Sequence, residues 1–241
     1  MNLSKRLQTI AGFVPRCRSA ADIGTDHGHL PVWLAEHDRA DHIIAMDVGE
    51  GPLSRARETI SRCGMEDRIE VRLSDGFAEL KPGEAEVVVI AGMGGLLIQK
   101  ILLEGQHMWD SVSHYILSPQ SEIGDTRRFL ADHGFKILRE DMLEDMGKYY
   151  LVWDVVRGSM DPQENYEYEY GKLLIEAAHP VLRVWLEQQI SQTWMLEEKL
   201  REAGTDKSRE RIRELEEERA MMSRALNALN KASGQADGGF C

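Results

Sequence analysis

Ala20-Ala-Asp-Ile-Gly-Thr-Asp-His-Gly-His-Leu-Pro31 decides how the rest of this 241-residue chain is read. Its first half, Ala20 to Gly24, has the apolar character of a short buried strand ending in Asp22-Ile23-Gly24. Gly24 and Gly28 permit a tight turn and a close backbone approach. Leu30-Pro31-Val32-Trp33-Leu34-Ala35 then opens a helix, with Pro31 in the first turn, where its missing N–H costs nothing. Strand, glycine loop and helix N-terminus together form the ligand-binding corner of a doubly wound α/β sheet.

The loop's own chemistry narrows the ligand. A diphosphate-binding loop of the G-x-G-x-x-G kind presents bare amides to negative charge. Here the glycines are spaced differently, and two carboxylates, Asp22 and Asp26, sit among them. Such a loop repels a dinucleotide but suits S-adenosylmethionine, which carries an ammonium and a sulfonium. A metal cluster on Asp26-His27-Gly28-His29 is disfavoured, because a helix N-terminus repels cations and no further ligands follow at workable spacing.

Working outward, His42-Ile-Ile-Ala-Met-Asp47-Val48 reads as the second strand. Asp47 lies at the distance from the loop at which an acidic side chain meets the ribose hydroxyls of an adenosine. A helix from Gly51-Pro52, strand Ile69–Leu73 and Ser74-Asp75-Gly76 follow, placing Asp75 and Gly76 beside the adenine. Glu86-Val-Val-Val-Ile-Ala-Gly92 is the most apolar strand, as expected of a central parallel one, and runs into Met93-Gly94-Gly95. Strand His114–Ser118 ends at Pro119-Gln120, and a helix from Gly124 to His133 follows. Phe135–Leu138 and Tyr149–Val156, flanking Met146-Gly147-Lys148, close the sheet as an antiparallel pair. The predicted fold is α/β: a Rossmann-like seven-stranded sheet with the last strand antiparallel, which resembles the class I methyltransferases. The ligand edge is the carboxyl end of the strands, where Gly24, Asp47, Asp75, Gly92 and Pro119 fall.

Two domains are expected: residues 1–162 for the cofactor, and residues 163–241 as a C-terminal α-helical arm. The arm reads as an acidic, aromatic stretch, Glu164–Tyr170, then two long helical segments broken at Ala203-Gly204-Thr205-Asp206, a helical hairpin or coiled coil. The chain after Ala232 is expected to fray. The arm's role stays open between packing or dimerisation and substrate recognition, so the oligomeric state is undetermined.

Composition bounds the function. A net charge of −12 argues against a general nucleic-acid binder, though not against a local basic face. Lys5, Arg6, Arg16 and Arg18 near the first helix, Arg55, Arg57 and Arg62, and Arg127-Arg128 read first as solvated faces. No apolar run is long enough to span a membrane and no secretory segment opens the chain, so a cytoplasmic protein is expected. The three cysteines form no CxxC and read as reduced thiols.

Asp22–Pro31, Ile90-Ala-Gly-Met-Gly-Gly95, Gly147-Lys-Tyr-Tyr150 and the opening Leu3-Ser-Lys-Arg-Leu-Gln8, with a two-helix arm behind them, resemble the bacterial tRNA (adenine-22-N1)-methyltransferase family. The resemblance covers nearly the whole chain. It implies S-adenosylmethionine-dependent methylation of N1 of adenine 22 in tRNA, the arm helping to hold the RNA. One departure is Ser118-Pro119-Gln120, where the family has Gln-Pro-Asn, so that Gln120 would supply the amide. The cofactor is then expected on Asp22, Gly24, Thr25, Asp26, His27, Gly28, Asp47, Val48, Asp75, Gly76, Ala91, Gly92 and Met93. The RNA is expected on Lys5, Arg6, Pro119, Gln120, Lys148 and Tyr149. Tyr149 and Tyr150 read equally well as core strand residues, and Met93 as packing. Asp26 is the candidate catalytic carboxylate, favouring the cationic product ring, with the methionine ammonium as its alternative partner. The exocyclic-amine enzymes' Asn/Asp-Pro-Pro-aromatic box is replaced by Ala91-Gly92-Met93-Gly94, which disfavours that class. Methylation of another acceptor, and a non-catalytic binding role on the same fold, remain the alternatives.

Overall fold

A computed structural model describes residues 2–237; Met1 and residues 238–241, including Cys241, lie outside them. The chain divides into two compact units, one ending at Asp161 and one beginning at Pro162.

The first unit runs α1 (Lys5–Phe13), β1 (Cys17–Ile23), α2 (His29–Glu36), β2 (Ala40–Asp47), α3 (Glu50–Arg62), β3 (Ile69–Leu73), β4 (Val87–Met93), α4 (Gly95–Glu104), β5 (His114–Pro119), α5 (Ile123–Asp132), β6 (Phe135–Asp145) and β7 (Lys148–Arg157). Its sheet has the order β3-β2-β1-β4-β5-β7-β6. The β1, β2, β3, β4 and β5 pairings are parallel, and β7 runs antiparallel between β5 and β6. The chain winds outward one way from β1 and the other way from β4, so the topological switch point lies between those two strands. A crevice opens there at the carboxyl edge. Both strands are buried on both faces: Ala20, Ala21, Val88, Val89 and Ile90 are fully enclosed.

Three expectations need correction. β1 starts at Cys17 rather than Ala20, because the polar residues before Ala20 have partners: Arg16 pairs with Asp41, and the Arg18 amide donates to Glu86 Oε2 at 2.9 Å. β6 continues from Leu138 through the charged run to Asp145, since Arg139 and Glu140 are neutralised by Asp154 and Arg127 within the sheet's own layers. Arg127 is not on a solvated face: it is 1% exposed, 2.8 Å from Glu140 and stacked 4.7 Å over the Trp153 ring.

The second unit holds α6 (Asn165–Tyr170), α7 (Lys172–Glu176), α8 (Pro180–Ala203) and α9 (Asp206–Asp237). The expected hairpin is α8 and α9, joined by a left-handed Gly204 cap at φ 61°. Leu182 and Leu186 of α8 and Leu215, Met222, Ala225 and Leu229 of α9 are buried where these helices pack. The acidic, aromatic stretch ahead of them is itself helical. Glu164 and Glu167 form a reciprocal capping box that starts α6, and Leu174 and Ile175 of α7 are buried. Helix α9 continues past Ala232, where fraying was expected, to Asp237.

Candidate active site

The loop after β1 is fixed by its neighbours. The amides of Gly24 and Thr25 both donate to Met46 O of β2, at 2.8 and 2.9 Å. Gly24 has φ 85°, and the space a side chain would need there is filled by Met93 Cε from β4. Gly28, at φ 68°, caps α2, and a Cβ at that position would lie 3.2 Å from the Ala56 backbone of α3. Both glycines are thus required twice, by a positive φ and by close packing.

The two acids of the loop are not equivalent. Asp22 is 7% exposed, and burial, with the Asp47 charge adding to it, pushes its carboxyl up to about 6. Asp26 is exposed and ion-paired with Arg55 of α3 at 2.8 Å, which holds it below the ordinary carboxylate range. The expectation of two bare carboxylates is therefore halved: Asp22 carries the unneutralised charge, and Asp26 reaches any ligand with Arg55 beside it. The His27 and His29 rings stack at 5.5 Å, and His29 Nδ1 is buried without a hydrogen-bonding partner. Burial keeps His29 below its usual pKa, so it is neutral at pH 7.

Asp22, Gly24, Thr25, Asp26, His27, Gly28 and Ala91 line one cleft of about 160 Å³, together with Arg6 and Leu7 of α1 and His29 and Leu30 of α2. The remaining predicted cofactor residues stand along the same edge outside that cleft. Asp47 accepts from the Gly49 amide at 2.8 Å, Ser74 N donates to Asp47 O at 2.9 Å, and Val48 is 70% exposed next to them. Asp75 and Gly76 follow Ser74 directly, Gly76 with φ 55°. The residues present fit S-adenosylmethionine: an unneutralised buried carboxylate, a buried imidazole nitrogen lacking a partner, and two glycines that keep the floor bare. Among the described residues no three His, Cys, Asp or Glu side chains converge as a metal site.

The predicted RNA contacts separate into two groups. Lys5 and Arg6 meet the β6–β7 hairpin: Lys5 Nζ donates to Glu144 O at 2.8 Å, and the Arg6 amide to Asp145 Oδ2 at 3.0 Å. Lys148 pairs across the hairpin with Asp145, and Tyr149 with Glu144. Arg6 also lies over the Tyr150 ring at 5.2 Å and reaches the space beside Gly92. It joins the hairpin to the cleft, a role its place in the first helix did not signal. Pro119 and Gln120 end β5, where Gln120 N donates to Met93 O at 2.9 Å. Ser118, the departure from the family pattern, spends its hydroxyl on Leu151 O at 2.7 Å and is buried. The Gln120 side chain is exposed.

A methyltransferase-domain family model matches residues 3–153. The tRNA (adenine(22)-N(1))-methyltransferase of Bacillus subtilis is 30% identical over 234 residues, 94% of this chain and 98% of that one. The chain belongs to the tRNA (adenine(22)-N(1))-methyltransferase family. The crystal structure of the B. subtilis m1A22 tRNA methyltransferase superposes with TM-score 0.80 at 29% identity, covering 93% of this chain and 99% of the other. A Streptococcus pneumoniae protein of the same assignment, solved in complex with S-adenosyl-L-methionine, gives TM-score 0.78 at 32% identity over 96% of this chain.

Among the cleft's residues, Leu7, His29 and Leu30 were not singled out for the cofactor by sequence reasoning in this m1A22 methyltransferase relative. Leu7 entered only as part of the opening stretch Leu3–Gln8, and Leu30 only as part of a helix start. His29 was weighed only as a metal ligand, although its place one residue past a glycine N-cap already put its ring at the helix mouth. Arg55 had no signal at all, since the contact to Asp26 spans 29 residues.

Proposed function

We propose that this protein transfers a methyl group from S-adenosylmethionine to N1 of adenine 22 in tRNA. Family membership over nearly the full chain carries this reading. The site supports it through what it contains and what it omits. S-adenosylmethionine, when bound, supplies an electrophilic methyl group on a positively charged sulfur. The Asp22 carboxylate, unneutralised by any cation in the cleft, favours a cationic ligand there. In this reading Asp47 accepts from the ribose hydroxyls, and Asp75 and Gly76 border the adenine; their position along the same sheet edge supports it.

The acceptor's chemistry makes few demands. N1 of adenine attacks through its ring lone pair, so no proton has to leave first and no strong base is required. Positioning and electrostatics suffice. The ring becomes cationic on methylation, and the carboxylates of the edge favour that charge. Asp26 contributes to this less than a free carboxylate would, because Arg55 shares its charge. The backbone carbonyl of Gly92 is suited to accept from the adenine amino group, whereas that of Gly94 is taken by the Leu97 and Ile98 amides of α4. Lys5, Arg6 and Lys148 offer positive charge to phosphates, Gln120 an amide, and Tyr149 a stacking face. We assign the second unit a share in holding the RNA, and a tRNA substrate accords with a cytoplasmic location.

Labelled S-adenosylmethionine with unmodified tRNA transcripts tests the assignment. The expected product is 1-methyladenosine at position 22, and a transcript with guanosine at that position should take up no label. Label entering protein or a small molecule, with none in tRNA, would overturn it.

A further inference from the structure

The β6–β7 hairpin is longer than the sheet it belongs to. Strand β5 pairs with β7 only from Tyr115↔Val155 to Leu117↔Trp153, with Ser118 reaching Leu151. The β6–β7 ladder continues through Leu143↔Tyr150, Glu144↔Tyr149 and Asp145↔Lys148. At about 3.4 Å per residue, that is a two-stranded ribbon standing roughly 10 Å beyond β5 at the ligand edge. Its flank is tied to α1 by the Lys5 and Arg6 contacts, and Arg6 in turn lines the cleft.

The ribbon's tip is Met146-Gly147, both with positive φ, 52° and 77°, the signature of a two-residue type I′ turn. Asn or Asp is the favoured residue at the first of these positions, and a long apolar side chain is a poor choice there. Met146 is also 96% exposed, so it gains nothing from burial. The turn is nevertheless held firmly, the Gly147 amide donating to Glu144 Oε1 at 2.7 Å. A residue unfavourable both in conformation and in hydration, mounted on a rigid projection beside the cleft, is explained by something outside the chain.

We infer that the β6–β7 turn is a wedge that parts the base stack of the folded RNA acceptor, the Met146 side chain entering beside the target adenine as it turns out toward the cleft. Apolar side chains inserted between base steps unstack them, and a methionine thioether makes favourable contacts with aromatic faces. The exposed Lys148 follows directly, where a phosphate of the parted strand can be met. The inference rests on tRNA being the acceptor.

Met146→Asn keeps the turn, since Asn accepts a left-handed conformation, but removes the wedge; Met146→Leu keeps an apolar side chain. The full-length protein is assayed with S-adenosylmethionine and tRNA under single-turnover conditions. A parallel titration follows 2-aminopurine placed next to adenine 22. Wild type should brighten the probe on binding. Met146→Asn should lose at least about tenfold in rate and the fluorescence rise, Met146→Leu should retain most of both, and cofactor affinity should not change. The loss should shrink on an RNA lacking the strand opposite the target. Asn and wild-type proteins with equal rates and equal brightening would overturn the wedge, as would equal losses in Asn and Leu variants. Failure of the wild-type protein to methylate tRNA would instead overturn the acceptor assignment.

Discussion

Asp22 is the buried carboxylate of the cleft, and on the proposed reading cofactor affinity turns on it. Its carboxyl sits near 6, above the ordinary 3.8, because burial penalises its charge. The sign follows: the folded apoprotein holds that proton more tightly than the unfolded chain does. Stability from this group is full below pH 4 and is lost as pH rises through 6, by about 3 kcal/mol at most. A cationic ligand reverses the preference by favouring the carboxylate. S-adenosylmethionine affinity should therefore fall as pH drops below 6, up to about tenfold per unit. Calorimetry between pH 5 and 8 should show that slope in wild type and a flat, weak profile in Asp22→Asn; equal slopes would remove Asp22 from the cofactor site. The loop's packing makes a separate prediction. Gly24→Ala should destabilise by about 1–3 kcal/mol, from its positive φ and the collision with Met93 Cε. Adding Met93→Ala should recover the collision part but not the φ part. Thermal melts of the two singles and the double would show this as non-additivity.

At the scale of elements, legibility followed hydrophobic pattern. Strands β1, β2, β4 and β5 declared themselves through apolar runs ended by Gly, Asp or Pro, and β3 through alternation; the carboxyl ends of β1 and β4 border the cleft. The second half of β6 was hidden because Arg139-Glu140-Asp141 reads as a surface loop, while its partners Arg127, Trp153 and Asp154 are 13 to 15 residues away. Buried pairing of charges leaves no periodic trace in a sequence. Likewise α6 is specified by a capping box rather than by an apolar stripe. The Arg127–Glu140 pair, both side chains at most 2% exposed, gives an element-level test. Removing one partner leaves a buried charge, so Arg127→Met should cost about 3–5 kcal/mol. Arg127→Met with Glu140→Leu should recover most of that loss. Denaturant titrations that found the single and double variants equally unstable would show the pair is not the cause.

At the scale of the whole molecule, the division at Asp161 separates two cores. The cofactor cleft, the edge acids and the β6–β7 ribbon all belong to the first unit, and none of the cleft's residues comes from the second. Family likeness nevertheless runs through both, since the B. subtilis enzyme is matched over 98% of its length. On the proposed reading the second unit helps to hold the tRNA, and it lines no part of the cleft. Its charge does not make it a simple cationic clamp: acids outnumber bases along α6 to α9. Several of its arginines are already spent on acids, as Arg211 is on Glu214 and Glu218 and Arg219 on Glu197. Contact with RNA there would rest on shape and on a few unpaired cations rather than on bulk charge, and its salt dependence should be shallow. A chain ending at Asp161 should bind S-adenosylmethionine with wild-type affinity by calorimetry. Its methylation of adenine 22 should fall at least about a hundredfold, chiefly through the acceptor KM. Full activity in a soluble truncated protein would confine recognition to the first unit and leave α6 to α9 a structural role.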